Sequence, residues 1–132
     1  MDLFSSESPR AVILDTNILM YAASKPFDII CMLNKKGITD VRVPSFVINE
    51  LEWLSKGPGA KQAKFARLAL EIARSFRILS GAFYGITVDD KLLNLAKSEG
   101  YIVATADAPL RRNLTREDID VIYLKDGRLI AD

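Results

Sequence analysis

Residues 11–15 read AVILD and residues 101–107 read YIVATAD. Each is an apolar run of strand length that breaks off at a carboxylate. A run without polar alternation suits a strand buried on both faces, the habit of parallel sheets, better than a half-exposed antiparallel strand. Parallel strands need helical crossovers, and the rest of the chain supplies them. FDIICMLNKKG (27–37) has a basic last turn and a glycine stop, which predicts the first crossover helix, with Phe27 among its apolar positions. In DVRVPSFVINELEWLSKGPG (40–59) a strand over Val41 to Val43 meets Pro44, Ser45 is placed to N-cap a helix, and GPG ends that helix after Lys56. AKQAKFARLALEIARS (60–75) predicts an alanine-rich helix with Phe65, Ala69, Ile72 and Ala73 inward and Lys61, Lys64, Glu71 and Arg74 outward.

FRIL (76–79) reads as a strand, and TVDDKLLNLAKSEG (87–100) as a helix opened by Thr87, Asp89 and Asp90 and stopped by Gly100. APLRRNL (108–114) is a short helix and DVIYL (120–124) a last interior strand; KDGRLI (125–130) turns at Asp126-Gly127 into an edge strand. This alternation predicts an α/β fold, a three-layer α/β/α sandwich with a mostly parallel central sheet. Residues 10–132 read as a single domain, and residues 1–9, polar and ending at Pro9, as a flexible leader.

Composition narrows the chemistry. Apolar residues make up 49% of the 132, enough for a real core. Lys and Arg total 18 against 17 Asp and Glu, so the formal charge of +1 provides no basic coat, and any polyanion site must be a local patch. The single cysteine, Cys31, excludes an internal disulfide and a multi-cysteine zinc site and suits a reducing compartment. No apolar run has signal-peptide or membrane-span character, so a cytoplasmic protein is expected. There is no histidine, which removes Ser-His-Asp triads, Cys-His dyads and His-ligated metals together.

In open parallel sheets, ligands bind beyond the carboxyl ends of the strands where the strand order reverses. Asp15 and Asp107 end two strands, Glu50 lies in the second turn of a helix that follows another, and Asp89-Asp90 open a helix facing the same edge. Each has a local alternative. Asp15 and Asp107 could cap turns or helices, Asp89 and Asp90 suit a helix N-terminus, and Glu50 is a good helix former. Yet converging carboxylates repel, and an unpaired buried charge costs several kcal/mol, so four on one edge call for cations or shared protons. Hard oxygen ligands select Mg²⁺ or Mn²⁺. Two such ions about 3.5–4 Å apart activate a water and stabilise the leaving oxygen of a phosphodiester, which needs no histidine.

Three stretches in series, VILDTNILM (12–20), VPSFVINELEWLSKG (43–57) and VDDKLLNLAKSEGYIVATADAPLRR (88–112), resemble the PIN domain, the metal-dependent ribonuclease fold. The likeness runs from about Val12 to Leu124. It implies an endoribonuclease that binds one or two Mg²⁺ or Mn²⁺ ions, with catalytic and metal-binding acids at Asp15, Glu50, Asp107 and one of Asp89 and Asp90. Asp89 is favoured because Leu92, Leu93 and Ala96 follow it as apolar residues follow the family's acid. Thr16, Asn17 and Thr105 match polar residues that hydrogen-bond those carboxylates. Within the family the chain is most similar to archaeal relatives of the endonuclease that processes small-subunit ribosomal RNA, which implies RNA and ribosome-assembly partners. One difference is Pro109, which stands where that group often carries a further acid. The other role the family leaves open is the toxin of a toxin–antitoxin pair, whose antitoxin protein occludes the acidic groove. Small members commonly pair as homodimers.

A nuclease also needs cations for phosphate, and Lys56, Lys61, Lys64, Arg111 and Arg112 are the candidates for binding RNA. Trp53 and Tyr84 are able to stack on bases, although a Trp three residues after Glu50 reads better as core. Rival classes fit less well. A phosphoaspartyl hydrolase of the haloacid-dehalogenase type wants a second Asp where Asn17 stands, a receiver wants a lysine at a late strand end, and no Gly-Lys-Ser/Thr loop is present. A non-catalytic RNA-binding scaffold would be free to lose an acid, and all four are retained.

Overall fold

A computed structural model describes residues 10–25 and 28–131; the expected leader, Phe27 and Asp132 lie outside the described residues. Chain order is β1 (Val12–Leu14), α1 (Thr16–Ser24), α2 (Ile29–Lys35), β2 (Val41–Pro44), α3 (Ser45–Ser55), α4 (Ala60–Ala73), β3 (Arg77–Leu79), α5 (Val88–Glu99), β4 (Ile102–Thr105), α6 (Ala108–Arg116), β5 (Val121–Lys125) and β6 (Arg128–Ala131). The sheet order is β3-β2-β1-β4-β5-β6. β1 to β5 are parallel, with Val12 opposite Val41 on one side and Ile102 on the other, and β6 returns antiparallel along β5.

Successive residues of a strand point to opposite faces, yet Val12, Ile13 and Leu14 are all buried, as are Ile102, Val103, Ala104 and Thr105. Both faces of the sheet centre are therefore covered, which gives the expected three layers. The crossovers form where the sequence places them, with two differences. An additional helix, α1, follows β1 directly, because Asp15 serves as its N-cap and Ile18, Leu19 and Ala22 give it a buried stripe. Ser45 is the first residue of α3 rather than its cap: Pro44 takes the cap position with no side-chain bond, its fixed φ of −65° leading the strand straight into the helix.

α4 settles how the two site-bearing helices meet, because it packs against both α1 and α3. Its buried face is Ala63, Ala66, Ala69, Leu70 and Ala73, whereas Phe65 and Ile72, expected inside, are only half-buried. Four alanines on one face let the helix backbones approach closely. A larger side chain there would force α1 and α3 apart, so Ala66→Leu should destabilise the protein by about 1–3 kcal/mol in urea unfolding. An unchanged midpoint would show that this interface has slack.

Candidate functional site

β1 has β2 on one side and β4 on the other, so the crevice beyond the carboxyl ends of β1 and β4 lies where the strand order reverses. Both strand-ending acids are there. Asp15, 1% exposed, accepts the Ile18 amide at 2.7 Å through Oδ1, and its Oδ2 accepts the Thr105 hydroxyl. Thr105 Oγ1 in turn accepts the Asp107 amide at 3.0 Å. Asp107 caps α6 by accepting the Leu110 amide at 3.0 Å, and its other oxygen accepts Asn17 Nδ2 at 2.7 Å. The bonds thus run from α1 through Asp15, Thr105 and Asp107 back to Asn17 on α1. Both aspartates are helix caps, and Thr105 links them.

Glu50 from α3 and Asp89 from α5 complete the arrangement. With Asp15, Thr16, Asn17, Val88 and Leu92 they line a cleft of about 190 Å³. Asp90 is occupied elsewhere. Its carboxylate accepts the Thr87 amide while its own amide donates to the Thr87 hydroxyl, a capping box that starts α5. Gly85 brings the preceding loop against that first turn. Its φ is +133°, and a Cβ there would stand 2.8 Å from Asp90 Cβ and 2.9 Å from the Lys91 amide nitrogen.

The electrostatics follow from burial and from crowding of like charge. Burial pushes the Asp15 carboxyl up from 3.8 to about 7; the Thr105 and Ile18 hydrogen bonds oppose this, and the charges of Asp107 and Asp89 add to it. Asp89 is also raised, chiefly by burial and then by Asp107, Glu50 and Asp90. These mutual effects place the four acids in one field. None of them forms an ion pair among the described residues.

The donors fit a hard divalent cation by their chemistry. All are oxygens, the carboxylates lack a cationic partner, and Thr16 Oγ1 is buried at the cleft wall with no hydrogen-bond partner among the described residues. As the side chains stand, no three acidic groups among the described residues are gathered tightly enough to hold an ion. Asp15 and Asp107 are fixed by their hydrogen bonds, which leaves side-chain rotation to Glu50 and Asp89.

The other expected residues lie around this centre. Lys56, Lys61 and Lys64 are exposed. The Arg111 guanidinium stands 4.3 Å from the Tyr123 ring centroid and, with Arg112, Thr115 and Arg116, lines a depression of about 460 Å³ on α6. Trp53 is not core: it is 75% exposed, because Phe46, Val47 and Leu51 form the buried face of α3 and Trp53 turns away from it. The motifs drew no attention to Tyr21 or to the groove side of Phe65, although a lysine four residues from each aromatic was a visible signal. A larger cavity, about 680 Å³, lies between β2, β3 and α5, but its Arg42 is already held by Asp40 and the Tyr101 hydroxyl. The smaller acidic cleft, by contrast, carries carboxylates with no cationic partner among the described residues.

A buried acid with a raised pKa costs stability when it ionises. The native state keeps its proton between pH 3.8 and about 7 while the unfolded chain gives it up, so stability falls as pH rises through that window. The rise amounts to roughly 4 kcal/mol at and above pH 8. In chelator, Asp15→Asn should therefore match wild type near pH 4 and be the more stable protein at pH 8. A pH-independent difference in urea unfolding would rule out burial of this charge as the cause.

Comparison with known proteins agrees with the geometry. Residues 12–127 match the family model described as a PIN-like domain. Ribonuclease VapC9 of Archaeoglobus fulgidus is 30% identical over 121 residues, covering 92% of this chain and 87% of that protein. The solved structure of the PIN domain endonuclease Utp24 superposes with a TM-score of 0.75 at 22% identity, over 94% of this chain and 92% of that one, a likeness of fold. With nearly the whole sequence matched, the chain belongs to the PIN-like domain family.

Proposed function

We propose that the protein is a metal-dependent endoribonuclease. The observation that carries this reading is the meeting of Asp15, Glu50, Asp89 and Asp107 in one histidine-free field beside the orphaned Thr16 hydroxyl, at the switch point of the sheet. The relative named a ribonuclease supports RNA as the substrate. Asp15, Glu50, Asp89 and Asp107 would hold Mg²⁺ or Mn²⁺, which when bound supplies an activated water and charge neutralisation for displacement at phosphorus. Thr105 and Asn17 orient Asp15 and Asp107. The lysines of α4 and the arginines of α6 bind flanking phosphates. In this role the substrate is a small-subunit ribosomal RNA precursor, as the sequence resemblance implies. A toxin role predicts otherwise: growth arrest on expression, relieved by a small antitoxin protein.

The test is cleavage of a structured RNA with Mn²⁺ and with excess EDTA. Wild type should cut only with the metal. Asp15→Asn, Glu50→Gln and Asp89→Asn should each lose at least about 100-fold in rate, and Thr105→Val roughly 10- to 100-fold. Asp90→Asn, which alters a helix cap, should stay within a few-fold of wild type. Cutting that survives EDTA, or survives Asp15→Asn in the folded variant, would sink the proposal.

A further inference from the structure

We propose that the groove beside the acidic cleft is a subsite that stacks one nucleobase of the RNA against Tyr21 and Phe65; this rests on the ribonuclease reading above. The groove has a volume of about 570 Å³ and is lined by Met20, Tyr21, Phe65, Ala106 and Pro109, among others. It adjoins the cleft. Asn17 borders both, and Asp107, to which Asn17 Nδ2 donates, forms part of the groove wall. A phosphodiester at the acids would therefore have one neighbouring nucleotide over this surface.

The chemistry of the walls suits that occupant. Two aromatic rings, a thioether and a proline ring offer flat or pliable apolar contact, which every base accepts whatever its hydrogen-bonding edge. Each ring carries a cation. Lys25 Nζ, from the residue that caps the end of α1, lies 4.9 Å from the Tyr21 centroid, and Lys61 Nζ lies 5.9 Å from the Phe65 centroid one turn along α4. Apolar faces beside exposed lysines match a base attached to phosphates, and the lysines favour it over an uncharged apolar segment of a protein. The packing of α4 against α1 through its alanines brings Phe65 to the groove that Tyr21 also lines. A base inside a duplex has its faces covered by its neighbours, so only an unpaired base has a face to offer.

The experiment compares three fluorescein-labelled probes by anisotropy in EDTA, where they remain intact: a single-stranded hexanucleotide RNA, the same strand in a duplex, and an abasic strand of equal charge. The single strand should bind roughly tenfold or more tighter than the abasic one. Phe65→Leu and Tyr21→Leu keep the apolar volume and remove the flat ring; they should abolish most of that advantage and leave abasic binding unchanged. Should a leucine variant fail to fold, photocrosslinking of wild type to RNA carrying 5-iodouridine should map to Tyr21 or Phe65. Equal binding of the strand and the abasic probe, leucine variants indistinguishable from wild type, or crosslinks only elsewhere would overturn the subsite and leave the groove to a protein partner. Metal-dependent cleavage persisting alongside any of these results would confine the failure to the subsite. Loss of both RNA binding and cleavage would instead remove the ribonuclease reading with it.

Discussion

The hydrogen bond from the Thr105 hydroxyl to the Asp15 carboxylate joins the ends of β1 and β4, the two strands between which the sheet changes direction. The placement of Asp15, Asp107 and Asn17 depends on it. Thr105 is fully buried, so its hydroxyl must find a partner, and it serves as donor to Asp15 and acceptor for the Asp107 amide. That double use ties α6 to β1. Asp107 then reaches back to Asn17, so the first turns of α1 and α6 are held together by side chains as well as by the sheet. A valine at position 105 would fill the same space and leave the Asp107 amide and a buried carboxylate without this partner.

This arrangement sets function against stability. A carboxyl at 1% exposure holds its charge poorly, and the neighbouring acids make ionisation harder still. The protein spends stability to keep it there, a cost the alternating apolar layers and the alanine interface must offset. The same environment makes Asp15 responsive. A group poised near 7 changes its charge with whatever enters the cleft, since a cation draws the pKa down while an incoming phosphate pushes it up. RNA and cation are therefore expected to bind together more readily than either alone, each relieving the repulsion the other meets.

Much of the fold was legible because it depends on local patterns. Apolar runs marked β1 and β4, the Gly100 stop and the Thr87 start bounded α5, and Asp126-Gly127 marked the turn into β6. The shared sheet edge of Asp15, Glu50, Asp89 and Asp107 was legible from strand ends and helix starts, and the structure sets Asp15, Glu50 and Asp89 along one cleft with Asp107 joined to Asp15 through Thr105. What failed to show was what depends on partners far away in the chain. Trp53 has the apolar character of a core residue, and only the placement of α3 leaves it in solvent. Phe65 looked inward by helical phase, yet its neighbours on α4 are small enough that the helix sits with the alanines innermost. The choice between Asp89 and Asp90 rested on the apolar residues that follow; the capping box gives Asp90 its own occupation and leaves Asp89 at the cleft.

The near-zero net charge takes on meaning once the charges are located. A group of acids at the centre would repel the polyanion of the proposed reaction, and an overall charge of +1 offers little long-range attraction to compensate. Attraction must come from the flanks. Lys61 stands beside Phe65, which lines a groove with Asp107, and Arg111 and Arg112 follow Asp107 on α6, starting one turn from it. With a Debye length of about 8 Å at physiological salt, phosphates near these side chains feel them while the rest of the strand does not. RNA would then be held by contacts beside a repulsive centre. This favours a flexible strand over a stiff duplex, because a flexible one bends to reach separate cations while one of its phosphates enters the cleft.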